Sequence, residues 1–167
     1  MMAVDIRRLG PADAGAYRDI RLEGLRRQPE CFGTAYGDEA AVPVAALADR
    51  LGQAAGIFAA QRDGRLLGIA GLRLPVSPRR AHRGILTGMY VRPEARGLGI
   101  ADALVQAVLA EARARGLDAV TLTVTAGNRP AQSLYDRHGF LPFALEPGAL
   151  RFDGRSFDDE QRIRLLP

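Results

Sequence analysis

The stretch Val91-Arg92-Pro93-Glu94-Ala95-Arg96-Gly97-Leu98-Gly99-Ile100-Ala101 places a glycine-bearing turn between two segments of different hydrophobic period. Before it, Ile85 to Val91 alternates as a strand does, with Ile85, Thr87, Met89 and Val91 on one side and Leu86, Gly88 and Tyr90 on the other. After it, Leu104, Val105, Val108, Leu109 and Ala112 share one face of a helix predicted from Leu98 to Arg115, with Gly116 as its stop. A turn that feeds a strand into a helix aims backbone N–H groups, and the positive end of the helix dipole, into the space beyond the strand. The stretch therefore reads as a pyrophosphate site. Arg96 adds charge, while Gly97, Gly99 and the small Ala101 let the backbone approach phosphate oxygens. Taken alone, it also fits an ordinary strand-to-helix turn whose glycines relieve strain.

Upstream, Val4 to Arg8 reads as a strand, and Gly10-Pro11-Ala12-Asp13 starts a helix with Tyr17, Ile20, Arg21 and Gly24 on one stripe, ending near Gln28 because Pro29 follows. Glu30 to Ala41 reads as a loop carrying Phe32, Tyr36, Asp38 and Glu39, and Pro43 to Leu51 as a helix closed by Gly52. Ile57 to Gln61 and Leu66 to Leu74 form a hairpin about Asp63-Gly64, followed by a basic loop from Pro75 to Arg83. Downstream come a strand from Val120 to Thr125, a short helix from Ala131 to His138 closed by Gly139, and final strands within Phe140 to Leu145 and Gln161 to Leu166. The order βααβββαβαββ predicts a mixed α/β layer structure. With neither a repeat nor a long linker, residues 1–167 are expected to form a single domain.

Composition narrows the chemistry. The 167 residues, 47% apolar and 25% charged, suffice for a core without covalent staples. All 23 basic residues are Arg, against 19 acidic ones. The absence of Lys excludes pyridoxal Schiff bases, lysine nucleophiles and the lysine-bearing phosphate loop. One cysteine, Cys31, and two histidines, His82 and His138, exclude an internal disulfide and a three-His or Cys-rich zinc site, so no metal is expected. Neither a signal-peptide h-region nor a membrane-length apolar run is visible, which predicts a soluble, cytoplasmic protein without a membrane partner. An isoelectric point near 10.0 raises the possibility of an RNA-binding protein. The arginines are dispersed and aromatics amount to only 6%, so no nucleic-acid partner is expected.

Gly97 and Gly99 also begin a dinucleotide-binding fingerprint, but its third glycine position is Asp102, and Thr125 to Gly127 supplies no acidic residue at the end of the next strand. A nicotinamide site is disfavoured on both counts. A second motif, Asn128-Arg129-Pro130-Ala131-Gln132-Ser133-Leu134-Tyr135-Asp136-Arg137-His138-Gly139-Phe140, changes the reading. Together the two stretches resemble the GCN5-related N-acetyltransferase (GNAT) family, whose R-x-x-G-x-[GA] loop and N-x-x-A-x-x-L-Y-x-x-x-G-F helix are matched here. The matching residues are Arg96, Gly99 and Ala101, then Asn128, Ala131, Leu134, Tyr135, Gly139 and Phe140. The segments Arg21 to Leu25, Pro29 to Gly33 and Met89 to Val91 extend the likeness over essentially the whole chain.

The resemblance implies a mostly antiparallel central sheet flanked by helices, and transfer of an acetyl group from acetyl-CoA, as cosubstrate, directly to an amine in a ternary complex. It implies that Met89, Tyr90, Val91, Arg96, Gly97, Leu98, Gly99, Ile100, Ala101, Asn128, Ser133 and Tyr135 hold the cosubstrate. Tyr135 is the implied general acid for the departing thiolate, and the amide of Tyr90 or Val91 the expected donor to the thioester oxygen. The base is not evident. Gly84 to Val91 contains no carboxylate, leaving a water, or one of Glu23, Asp38 and Glu39. His82 is a weaker candidate, His138 beside Gly139 reads as structural, and Cys31 reads as a packed thiol. Phe32, Tyr36, Asp38, Glu39 and the run Asp158-Asp159-Glu160 would suit a cationic acceptor if they converge. The competing function is a non-catalytic acyl-CoA-binding sensor or pseudo-enzyme of the same fold. A homodimer paired along the final strand is a further expectation.

Overall fold

In the computed structural model, which describes residues 3–53 and 55–167, one seven-stranded sheet runs in the order β1-β2-β3-β4-β5-β7-β6. Its strands are β1 (Asp5–Arg8), β2 (Gly56–Arg62), β3 (Arg65–Arg73), β4 (Arg83–Val91), β5 (Ala119–Thr125), β6 (Leu141–Phe152) and β7 (Arg155–Leu165). Every neighbouring pair is antiparallel except β4 with β5. The helices are α1 (Ala14–Arg27), α2 (Tyr36–Ala40), α3 (Val44–Gln53), α4 (Ile100–Ala114) and α5 (Arg129–Arg137). The segment expected to be a loop from Glu30 to Ala41 thus contains α2, preceded by a single turn at Pro29–Cys31, and Gly52 lies inside α3 instead of ending it.

Alternating residues of β2 and β3 face two cores. Ala60, Leu67 and Ala70 pack with Leu104, Val105, Val108, Leu109 and Ala112 of α4 on one side. Ala59, Leu66 and Ile69 pack with Tyr17 and Ile20 of α1 and Leu47 and Leu51 of α3 on the other. Full burial of a Leu or Val side chain contributes roughly 1.5–3 kcal/mol, so α4 is held mainly by this one face. It stops where expected: Gly116, at φ 68°, allows the Leu117 N–H to reach the Ala112 carbonyl at 3.0 Å.

The regular alternation expected of β4 is corrected by a bulge. Ile69 pairs with Tyr90 and Gly71 with Thr87, so β4 has one residue more than β3 between these pairs, and Gly88 takes φ 66°. Leu86 therefore packs in the α4-side core and Tyr90 in the α1-side core, although strict alternation would put both on one face. The Tyr90 ring lies against Gly24 of α1, where an added Cβ would stand 3.0 Å from it. The final strands are also longer than expected. They form one hairpin about Asp153-Gly154, both at positive φ, as a tight two-residue turn requires. Register shifts between Glu146 and Leu150 break the apolar alternation that would have revealed the full length.

Candidate active site

The parallel pairing of β4 and β5 covers only Arg83 with Ala119, Gly84 with Val120 and Ile85 with Thr121. Beyond these pairs the two strands are no longer joined, and the sheet opens into a split with Leu86–Val91 along one edge and Leu122–Thr125 along the other. Backbone groups on those edges, released from the ladder, need other partners. Several expected site residues gather around the split: Met89, Tyr90 and Val91 lie on β4, the turn 96–99 and the start of α4 follow β4, and α5 follows β5.

At the β4 end, Gly97 and Gly99 have φ 77° and 74°, with open space where each Cβ would be. Gly99 caps α4 without a side chain, and Ala103 N–H makes a 3.1 Å bond to the Gly99 carbonyl. The earlier N–H groups, of Ile100, Ala101 and Asp102, lie in the first turn, where no helical carbonyl precedes them. Arg96 is exposed and anchors its Nε on the Val91 carbonyl at 3.2 Å. The turn therefore presents N–H groups, a helix dipole and a guanidinium to one open surface, a suitable cradle for a diphosphate. Ile100 offers only backbone, because its side chain is buried in the α4-side core, and the Leu98 side chain is 55% exposed.

At the β5 end, Asn128 caps α5, its Oδ1 accepting from the Ala131 N–H at 3.3 Å. Its Nδ2 donates to Cys31 Sγ at 3.6 Å, while Thr125 Oγ1 donates to the Glu30 carbonyl at 3.0 Å. The turn Pro29–Cys31 is thereby tied to the end of β5 and the start of α5. Burial, then the Glu30 carboxylate, pushes the Cys31 thiol up, in keeping with a packed thiol. Tyr135 is buried, with its ring edge-on to Phe140 at a 5.8 Å centroid separation, and burial raises its phenol far above the ordinary value. Ser133 is exposed on the same helix.

Two ionic clusters fix these parts. Asp102 in the first turn of α4 binds Arg137 at 3.1 Å and His138 at 3.0 Å, joining the start of α4 to the end of α5. The Arg137 hydrogen bond, then that of His138, holds the Asp102 carboxyl below its usual range. Arg162 of β7, only 4% exposed, pairs with Asp136 and Glu160 at 2.5 Å each and also donates to the Gln132 and Phe140 carbonyls. Sequence reading missed Arg162, since a lone arginine on a polar strand carries no signal of burial.

The candidate bases separate. Glu23 accepts from the Tyr90 hydroxyl at 2.9 Å and from Arg92 at 2.5 Å. Burial, then this bond to Glu23, pushes the Tyr90 phenol up to about 12. Glu39 is buried against Arg50 at 2.9 Å, whereas Asp38 is exposed. Asp158, Asp159 and Glu160 lie on β7, where Asp158 accepts from the Gly148 N–H and Glu160 pairs with Arg162. Glu39, Asp158 and Glu160 thus have separate local partners, and these acidic residues do not gather into one cationic-amine site. His82 is exposed before β4.

Comparisons with known proteins agree with this geometry. A model of the acetyltransferase (GNAT) family matches residues 21–140. A mycothiol acetyltransferase of Thermomonospora curvata is 40% identical over 92 residues, 55% of this chain and 30% of that protein. The matched part therefore spans about a third of that relative's length. An acetyltransferase structure from Streptococcus pneumoniae superposes with a TM-score of 0.87 at 20% identity, covering 99% of this chain and 100% of the other. A phosphinothricin acetyltransferase from Sinorhizobium meliloti, solved with acetyl-CoA, superposes at 0.84 with 22% identity, covering 99% and 89%.

Proposed function

The chain belongs to the GNAT acetyltransferase family, and from that premise we propose that it transfers an acetyl group from acetyl-CoA to a primary amine within a ternary complex. The observation that supports this reading is the split between β4 and β5, with an N–H-rich turn following β4 and the helix that carries Tyr135 following β5. In this reading the turn 96–101 holds the diphosphate, the free edge of β4 from Met89 to Val91 holds the pantetheine amides, and Asn128, Ser133 and Tyr135 line the opposite side. No helix among the described residues is long and apolar enough to cross a membrane. We place the reaction in the cytoplasm, where acetyl-CoA is available, and treat 1–167 as one acetyltransferase domain because one sheet carries both cores.

The chemistry balances without a metal or a covalent intermediate. The amine nitrogen forms a bond to the thioester carbon, the C–S bond breaks, and the CoA sulfur departs as a thiolate that the Tyr135 hydroxyl stabilises by a hydrogen bond and that water then protonates. A β4 backbone N–H, of Tyr90 or Val91, stabilises the oxygen that gains charge. The proton lost by the ammonium leaves through water, because Glu23 and Glu39 are held by arginines and Asp38 is exposed.

Acetyl-CoA and CoA at about 100 times their dissociation constants should each stabilise the protein by about 2.7 kcal/mol in a thermal shift, and NADH should not. Thiol release with a panel of primary amines should follow. Stabilisation by CoA without thiol release from any amine would leave a binding module in place of an enzyme.

The final strand, β7, lies inside the sheet between β5 and β6 and cannot be the pairing edge that was expected; a second copy of the chain is instead the proposed partner of the β6 edge, where Leu141, Phe143 and Leu145 are 69%, 56% and 58% exposed. Sedimentation should give a dimer at micromolar concentration, and Phe143→Glu should shift it to monomer; a wild-type monomer would refute the pairing.

A further inference from the structure

Resting on the acetyl-transfer reading, we propose that the acceptor amine also carries a carboxylate and that Arg21 is the residue that recognises it. A cavity of about 740 Å³ lies against α1, α3 and β3 and reaches Thr87 and Gly88, the bulge of β4. It thus reaches β4, the strand whose free edge borders the split, and in the acetyl-transfer reading an amine held here meets the acetyl group at that strand. Four arginines line it, with no aspartate or glutamate among the described lining residues.

Two of the four are already engaged. Arg50 pairs with Glu39 at 2.9 Å, and Arg115 with Glu111 at 2.7 Å and with the Ala55 carbonyl. Arg21 and Arg73 have no carboxylate within ion-pair distance among the described residues. Arg73 is exposed at the outer part of the cavity, whereas Arg21 is half-buried beside the bulge. Its guanidinium carbon sits 5.2 Å from the Phe32 ring centroid, and its Nη1 lies 3.8 Å from where a Gly88 Cβ would be. Phe32 steadies the flat guanidinium by a cation–π contact but supplies no counter-charge. Gly88 leaves no side chain between that charge and the backbone of the bulge.

A partly desolvated arginine without an anion is unfavourable unless a ligand supplies one. The guanidinium fork matches the two oxygens of a carboxylate in plane. Held there, a carboxylate separated from its amine by one or two carbons would bring the nitrogen to the bulge, where attack on the thioester begins. A polyamine or other purely cationic acceptor would meet uncompensated positive charge in the same cavity. This reverses the expectation of an acidic acceptor site drawn from Asp38, Glu39 and the run 158–160.

The test compares amines in matched sets: free amino acids, their amides, and the corresponding decarboxylated amines, each with acetyl-CoA, read by thiol release and product mass. The free acids should exceed the amides in kcat/KM by about ten- to a hundredfold, through KM more than kcat. Arg21→Gln should collapse this preference toward unity, and Arg73→Gln, at an exposed position, should reduce it less. Preferential acetylation of amides or decarboxylated amines would overturn the inference while leaving acetyl transfer intact. An Arg21→Gln variant that lowers acid and amide turnover by the same factor would reduce Arg21 to a structural role and overturn it too. Binding of acetyl-CoA with no acetylation of any amine would remove both this inference and the transfer reading on which it rests.

Discussion

Tyr135→Phe is expected to lower kcat by about a hundredfold while the fold and acetyl-CoA binding persist. The substitution removes one oxygen and leaves the ring edge-on to Phe140 at 5.8 Å, so the packing is retained. Among the described residues no group hydrogen-bonds the Tyr135 hydroxyl, so its loss leaves no buried partner unsatisfied. Burial raises this phenol, with the Arg162 guanidinium opposing the shift only in part, and the group therefore stays protonated throughout the assay range. The pH profile of wild-type kcat should accordingly show no falling limb from Tyr135 below about pH 10. The same shift bears on stability. The folded state favours the protonated phenol, so this contribution is fully present below the unfolded value near pH 10 and is lost as pH rises toward the folded one. Tyr90, pushed to about 12, acts in the same direction and window. A Phe variant with wild-type kcat would show that Tyr135 only packs.

What the sequence revealed, and what it hid, divides by the range of the interactions involved. Gly99, read as part of the phosphate turn, and Gly116, read as the stop of the long helix, both take positive φ where the chain must turn, because these conformations are set by a few neighbouring residues, although the helix starts at Ile100 and not at the expected Leu98. The Asn128 motif was legible only as a family pattern; its cap on α5, which starts at Arg129 and not at the expected Ala131, was not read from it. The β4 bulge was not legible: Gly88 reads as one step in an alternating run, and only the pairing with β3 shows that an extra residue has been inserted. Its consequences, Tyr90 turned toward Glu23 and the backbone of the bulge exposed beside Arg21, were hidden with it. Arg21 itself was read as part of a helical stripe. Its lack of an anionic partner is a property of the cavity, which is assembled from α1, α3 and three strands. The diphosphate turn was thus written locally, whereas the acceptor side depends on contacts between distant segments.

Arg162→Met should destabilise the protein by about 3 kcal/mol and lower its melting temperature by roughly 6–12 °C. Methionine fills comparable space, so the main loss is of the charge and its donors. Arg162 makes ion pairs with Asp136 on α5 and Glu160 on its own strand, and donates to two carbonyls at the two ends of the same region, Gln132 and Phe140. Removing it leaves the Glu160 side chain, 19% exposed, without its cation, whereas Asp136, 62% exposed, returns to water. The penalty should therefore come mostly from Glu160, and Asp136→Asn should cost about 1 kcal/mol or less. A double variant, Arg162→Met with Glu160→Gln, should recover part of the loss, because no carboxylate is then left half-buried. Activity tests the second role of this cluster. Arg162 bridges β7 to the helix that carries Tyr135, so the single variant should also lose kcat at temperatures where it is fully folded, with little change in the stabilisation by CoA. Chemical denaturation and a kcat measurement well below the transition separate the two effects. A variant as stable and as active as wild type would show that α5 is held without Arg162, by the Asp102 cluster and the packing of Leu134, Tyr135 and Phe140.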